Sequence, residues 1–204
     1  MSDDRHLGMP VAEVRLPATR ESLAGLVAGE PVRLSGPVFT ARDATHALIL
    51  ADLERDGSLP HGLAGQALFY AGPTPPAAGR PAGAVGPTTA SRMDPYTPSL
   101  LAAGVVATIG KGPRSAEVRA ACVEHGAVYF VAVGGAAALL ATHVASAEPV
   151  AYGHLGTEAL VRFELDGFPA FVGIDSHGAD IYDAIAPGAP QSGGHRGVSE
   201  EEDA

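Results

Sequence analysis

The stretch VVATIGKGPRSAEVRAACVEHGAVYFVAVGGAAALLATH, Val105 to His143, decides the fold class. Val105 to Ile109 is a short β-branched run closed by Gly110, which reads as a strand. Ser115 to His125 follows as a helix. Val128 to Val133 reads as a second buried strand, Gly134-Gly135 as a turn, and Ala136 to His143 as a packed helix. Strand, helix, strand, helix in that order predicts an α/β protein. The same region carries no Asp, Glu, Lys or Arg from Gly126 to Ala147, a length that raises a membrane span. The strand, turn and helix inside it argue instead for a soluble, cytoplasmic protein.

Upstream, Thr19 can cap a helix whose Leu23, Leu26 and Val27 share one face, with Gly29 ending it. Val32 to Leu34 and Val38 to Thr40 read as two short strands around the turn Ser35-Gly36-Pro37. Asp43 can cap a helix through Leu53 that stops at Asp56-Gly57. Gln66 to Ala71 reads as a strand, and Gly72 to Pro87 as an irregular segment outside the core. Thr97-Pro98 starts a short helix. Downstream, Leu160 to Leu165 and Ala170 to Asp175 predict a hairpin turning at Asp166-Gly167. The expected organisation is a flexible N-terminus over 1–12, one α/β domain with a mixed sheet over 13–185, and a disordered acidic tail over 186–204.

Composition limits the function. The 204 residues include 13 basic and 23 acidic side chains, a formal charge of −10, so no basic face is available for nucleic acid or an anionic membrane. Cys122 is the only cysteine, which excludes a disulfide framework and a multi-cysteine metal site within this chain. Lys111 is the only lysine beside twelve arginines, which marks it as a place where a compact ammonium is needed. Ala-rich helices with few charges leave apolar faces for self-association, such as a homodimer of this domain.

Three loops gather polar groups in apolar surroundings. Thr40-Ala-Arg-Asp-Ala-Thr-His46 lies at a strand-to-helix junction, where Arg42 and exposed N–H groups can clamp a carboxylate. The alternative is that Asp43 caps the helix and Arg42 is its surface partner. Gly86-Pro-Thr-Thr-Ala-Ser-Arg-Met-Asp94 offers Thr88, Thr89, Ser91 and Arg92 to one carboxylate, or caps itself with its own hydroxyls. Gly110-Lys111-Gly112 leaves an ammonium unobstructed at a strand end and lacks the spacing of a P-loop. Asp175-Ser-His-Gly178 is too compact for a catalytic triad, and the histidines show no metal-ligand spacing. Two arginines, a lysine and hydroxyls on strand-end loops point to a small dicarboxylate.

Taken in order, Thr40-Ala-Arg-Asp-x-x-His46, Tyr70-Ala-Gly-Pro73, Gly86-Pro-Thr-Thr-x-x-Arg-Met-Asp94, Ile109-Gly-Lys-Gly112, Val133-Gly-Gly-Ala-Ala137 and Asp175-x-x-Gly178 resemble the beta subunit, or C-terminal domain, of class I iron–sulfur fumarases and tartrate dehydratases. The resemblance runs from about Val14 to Ile185. It implies a swivelling β/β/α domain and a hydro-lyase that hydrates fumarate to malate reversibly. It also implies an alpha subunit holding a [4Fe–4S] cluster on three cysteines, with no cluster on this chain. On matching positions, Arg42, Thr88, Arg92 and Lys111 would contact substrate, with Thr88 and Lys111 catalytic, and Asp43, His46, Thr89 and Asp94 would support them. Ala47 and Gly178-Ala-Asp180 depart from the usual pattern. Arg-Met-Asp-Pro-Tyr96 looks more like fumarases, whereas Asp175-Ser-His-Gly178 is nearer to tartrate dehydratases. The competing expectations are a tartrate dehydratase beta subunit and a non-catalytic dicarboxylate-binding module.

Overall fold

A computed structural model describes residues 11–185; residues 1–10 of the expected flexible N-terminus and the whole expected tail, 186–204, lie outside the described residues. The chain runs β1 (Ala12–Arg15), α1 (Arg20–Leu23), β2 (Pro31–Thr40), α2 (Asp43–Asp56), β3 (Ala67–Phe69), β4 (Ala71–Pro73), β5 (Val85–Pro87), α3 (Thr97–Ala102), β6 (Ala107–Gly110), α4 (Ala116–His125), β7 (Val128–Val131), α5 (Ala137–Ala141), β8 (Val144–Ala151) and β9 (Leu160–Ile174). The expected α/β class with a mixed sheet is what the structure has. β2, β3, β6 and β7 are parallel neighbours in that order, and β9 runs antiparallel to both β7 and β2. That double pairing closes the five strands into a small barrel. β1 extends β2 and β8 extends β9, while β4 and β5 form a separate two-stranded ribbon.

Period-two alternation divides the core. Phe69, Ile109, Val128, Phe130, Phe163, Phe168 and Val172 belong to one buried cluster in the barrel. Leu68, Tyr129 and Ile174 face the other way and pack under Ile49 of α2, Leu100 and Leu101 of α3, and Val118 and Cys122 of α4. β3, β6 and β7 thus bury both faces, which is why their sequences read as continuous apolar runs, whereas β2 and β9 alternate buried residues with half-buried ones such as Arg33, Arg162 and Glu164.

Several expected elements differ, and each difference has a local cause. The predicted hairpin at Asp166-Gly167 and the predicted turn at Ser35-Gly36-Pro37 are both interior to long strands. They lie opposite one another: Leu34 pairs with Phe168 and Gly36 with Leu165, so the two glycine signals mark one shared β-bulge. Ser35 Oγ accepts the N–H of Gly167 at 2.9 Å, satisfying a group the bulge frees from the ladder. The segment expected to be irregular, 72–87, contains most of the ribbon and sends Ala82 and Val85 into the core. β8 has no counterpart in the sequence reading. The first helix ends at Leu23 rather than near Gly29. Asp43 is the first helical residue of α2, not its cap, and Tyr96 rather than Thr97 precedes α3. No helix among the described residues is long and apolar enough to cross a membrane.

Candidate dicarboxylate site

Because β2, β3, β6 and β7 are parallel, the loops leaving them open at one end of the barrel. β9 is antiparallel, so the segment entering it arrives at that same end; Thr40 pairs there with Val161. The mouth therefore collects the Arg42 junction, the Tyr70 loop with its ribbon, Lys111, Gly134 and the residues before Leu160. The peptide chain itself ties these loops together. Thr88 N–H donates to Tyr70 O at 2.6 Å, Lys111 N–H to Thr88 O at 3.2 Å, and Ala90 N–H to Lys111 O at 2.8 Å. Thr89 and Lys111 form a parallel bridge, so the hydroxyl loop and the lysine loop extend the sheet beyond its strands.

The close approach depends on glycine. A Cβ on Gly110 would lie 2.9 Å from both Ala90 Cβ and Tyr70 Cδ2, leaving no room for the Thr88–Ala90 loop. A Cβ on Gly72 would come within 2.9 Å of Arg42 Nη1. The stem of Lys111 packs beside Gly134, with its Cδ 3.5 Å from where a Cβ would stand. Among the described residues the hydroxyls of Thr88, Thr89 and Ser91 and the ammonium of Lys111 make no hydrogen bond or ion pair, and none of these hydroxyls caps its own loop.

The two arginines are held differently. Arg92 Nε donates to Asp43 Oδ1 at 3.0 Å, and Nη2 lies 2.7 Å from Oδ2 as an ion pair without hydrogen-bond geometry, with Arg92 half exposed. Arg42 occupies the cap position of α2 and reaches Glu158 Oε1 at 3.4 Å through Nη2, while its Nε–H is buried without a partner. Glu158 Oε2 accepts Ala44 N–H at 3.0 Å, so the missing cap of α2 is supplied from the segment before β9. The predicted Arg42–Asp43 pairing is thus replaced by Arg42–Glu158 and Arg92–Asp43.

His46 is fully buried between the rings of Tyr70 and Tyr96. Its Nδ1 lies 2.8 Å from Arg42 O, an acceptor, so Nδ1 carries the proton and Nε2 is left with a lone pair and no partner. Burial pushes its pKa down to about 4, against the opposing effect of the carbonyl bond. The ring is therefore neutral and fixes the Arg42 backbone. Asp94 sits outside the mouth proper. It accepts Arg114 Nε at 2.6 Å and Ser115 N–H at 2.7 Å, which ties the hydroxyl loop to the start of α4. Glu158 and Arg114 are the participants that the sequence reading missed. Arg114 stands three residues from the flagged lysine; Glu158 has no neighbouring motif at all.

An apolar groove of about 440 Å³ lies beyond Gly72, with Pro73, Pro75, Val161 and Phe163 in its walls. It contains none of the predicted site residues and no charged side chain, so it does not suit a dianion. The described residues offer no ligand set for the iron–sulfur cluster that the resemblance implies for a partner subunit. Cys122 is buried on α4 with its thiol pushed up to about 11 by desolvation, and no three metal-binding side chains cluster among the described residues.

The sequence pattern of the family described as Fumarase C-terminus matches residues 3–185. The chain is 39% identical over 154 residues to "Fumarate hydratase class I, anaerobic" of Escherichia coli, covering 74% of this chain and 28% of that protein. It is 34% identical over 191 residues to "Fumarate hydratase 1, mitochondrial" of Leishmania major, covering 91% and 35% respectively. It is 33% identical over 173 residues to "Putative L(+)-tartrate dehydratase subunit beta" of Methanocaldococcus jannaschii, covering 82% of this chain and 89% of that one. The chain thus spans only about a third of the fumarate hydratases named, and most of the tartrate dehydratase subunit.

Proposed function

Because the chain belongs to the Fumarase C-terminus family, we propose that it is the beta subunit of a hydro-lyase that interconverts fumarate and malate. The observation that carries this reading is the barrel mouth itself. Arg42, Arg92, Lys111 and Thr88 stand on adjacent loops there, with the Lys111 ammonium and Thr88 hydroxyl unengaged among the described residues. Such a site recognises a dianion with two planar guanidinium donors and one point charge.

In this proposal Arg42 and Arg92 each neutralise a substrate carboxylate, and Lys111 adds charge beside them. In the dehydration direction, Thr88, its own proton passed to a neighbouring carboxylate, takes the proton from the carbon next to one carboxylate as hydroxide leaves the neighbouring carbon, and that proton is then returned to the hydroxide to complete the water. A serine- or threonine-type hydroxyl is a poor base by itself, so a carboxylate of the alpha subunit is assigned the activating role. As the proton departs, negative charge builds on the aci-carboxylate, and the cationic donors bind it more tightly than the ground state. The [4Fe–4S] cluster is proposed to reside on that alpha subunit; the residues named here act on the carboxylates and the carbon-bound proton.

A tartrate dehydratase beta subunit is the second reading, favoured by the relative of similar length that bears that name. Anaerobic isolation of the tagged chain with its natural partner, followed by turnover assays on malate, fumarate and tartrate, separates the two. Malate or fumarate turnover that disappears in Thr88→Ala and Arg92→Ala upholds the first reading. Turnover of tartrate alone moves the assignment to the second. A lone, inactive chain from a host shown to lack any three-cysteine partner would overturn both.

A further inference from the structure

We propose that Glu158 is the positioning residue for Arg42, and that the segment Tyr152 to Glu158 is a strap fixing this arginine on α2. The proposal rests on the functional reading above in taking Arg42 as a carboxylate ligand. Its structural basis is independent of that reading. Glu158 meets the first turn of α2 three times: Oε2 takes the Ala44 N–H, the backbone carbonyl takes the Thr45 hydroxyl, and Oε1 faces Arg42 Nη2. The helix N-terminus stabilises this carboxylate, so the arginine is not its sole source of compensation.

The other end of the strap is pinned further along the same helix. Tyr152 Oη donates to Asp52 Oδ2 at 2.5 Å, which lowers the Asp52 pKa. Tyr152 and His61 are the two non-glycine residues with positive φ among the described ones, at 55° and 54°, and their rings meet edge-on at 5.1 Å. Left-handed backbone at two bulky residues in mutual contact is held only where surrounding contacts over-determine it. The strap is therefore clamped at both ends, and Glu158 is delivered at a set height over Arg42.

A positioning role, rather than competition with substrate, follows from the number of contacts. Glu158 engages one Nη at 3.4 Å, and Arg42 keeps its Nε–H buried and unpartnered. Gly72, lacking a Cβ, lets Nη1 lie close against the ribbon, and Nη1 makes no hydrogen bond or ion pair among the described residues. The guanidinium is thus oriented but still has donors for a second carboxylate.

The test uses Glu158→Gln in the assembled enzyme, since the amide oxygen can still cap Ala44 while the charge is lost. KM for the dicarboxylate is expected to rise roughly tenfold with kcat within about twofold, and the same change in an Arg42→Ala background to alter KM less than about twofold. An unchanged KM, a fall in KM, or an equal rise in both backgrounds overturns the proposal. A second readout needs no turnover: the side-chain Nε–H resonance of Arg42 in the full-length chain, assigned by its loss in Arg42→Lys. Slow Nη exchange is expected in the natural sequence and averaging in Glu158→Gln; identical spectra overturn the role of Glu158. If the natural assembly turns over none of malate, fumarate and tartrate, the functional reading fails and the resonance alone decides Glu158.

Discussion

Arg114–Asp94 and Arg92–Asp43 are the same chemical pair in two settings. Arg114 is fully enclosed, with its side chain 0% exposed. Beyond Asp94 it reaches Thr97 Oγ1 at 2.7 Å and Thr108 Oγ1 at 3.3 Å, and it lies against the rings of Tyr70 and Tyr129 at 5.2 and 4.9 Å. Arg92 is 49% exposed and touches one carboxylate. Each guanidinium nitrogen of Arg114 donates to one of the chain's own groups and the side chain is enclosed, so it is out of a ligand's reach and holds α3, α4 and β6 together. Arg92 leans on a solvent-screened pair of little intrinsic strength, which a substrate carboxylate can replace or share. Saturation of donors, not charge or residue type, separates the structural arginine from the candidate binding arginine.

The contrast breaks first at Arg114. Arg114→Ala leaves Asp94, Thr97 and Thr108 without their shared partner and is expected to cost about 3–5 kcal/mol, read as a lower denaturant midpoint. A loss below about 1 kcal/mol would mean the enclosed pair is not structural. Arg92→Ala should behave in the opposite way. Stability is expected to change by less than about 1 kcal/mol, while turnover of the assembled enzyme loses about 2–5 kcal/mol of transition-state binding. Equal effects on folding and turnover would erase the distinction.

His46 sharpens the comparison through pH. Its pKa falls from 6.5 to about 4 on burial, so the unfolded chain binds the proton more readily than the folded one. The contribution is complete above pH 6.5 and is lost as pH falls towards 4, by up to about 3 kcal/mol. Subtracting the stability profile of His46→Gln from that of the natural chain should expose this slope; parallel profiles between pH 6.5 and 4 would refute it. Gly110→Ala is expected to have the smallest effect. The added methyl meets Ala90 and Tyr70 at 2.9 Å, and overpacking there should cost about 1–3 kcal/mol in thermal or chemical unfolding. An unaltered midpoint would show that the hydroxyl loop can move away from the lysine strand.

Much of the mouth was legible because its signals are short-range. Lys111 between two glycines, Arg42 after a strand, and Thr88 after Gly86-Pro87 each announce a strand-end loop within a few residues. The structure brings those loops to one end of the barrel. Asp43 shows the limit of such reading. An acidic residue at a helix start reads as a cap, yet its carboxylate pairs with Arg92, 49 positions away, while Glu158 supplies the cap. The same limit applies to Gly36 and Gly167, where a turn and a bulge carry the same residue signature until the facing strand is known.

The amino-acid sequence alone therefore determined the α/β class, the placing of loops at strand ends, the exclusion of a cysteine-rich centre from this chain, and the family resemblance. The α/β class and the loop positions follow from periodicity and spacing, which act between near neighbours, and the cysteine exclusion from composition; the resemblance rests on the motifs taken in order. Tertiary structure decided the closure of β9 on β2, the union of two apparent turns in one bulge, and the division of the arginines between saturated and available. It also decided the contact of Glu158 with Arg42, 116 positions apart. A long-range pairing leaves no periodic trace in the chain, because its energy is realised only once both partners have been carried to the same end of the barrel.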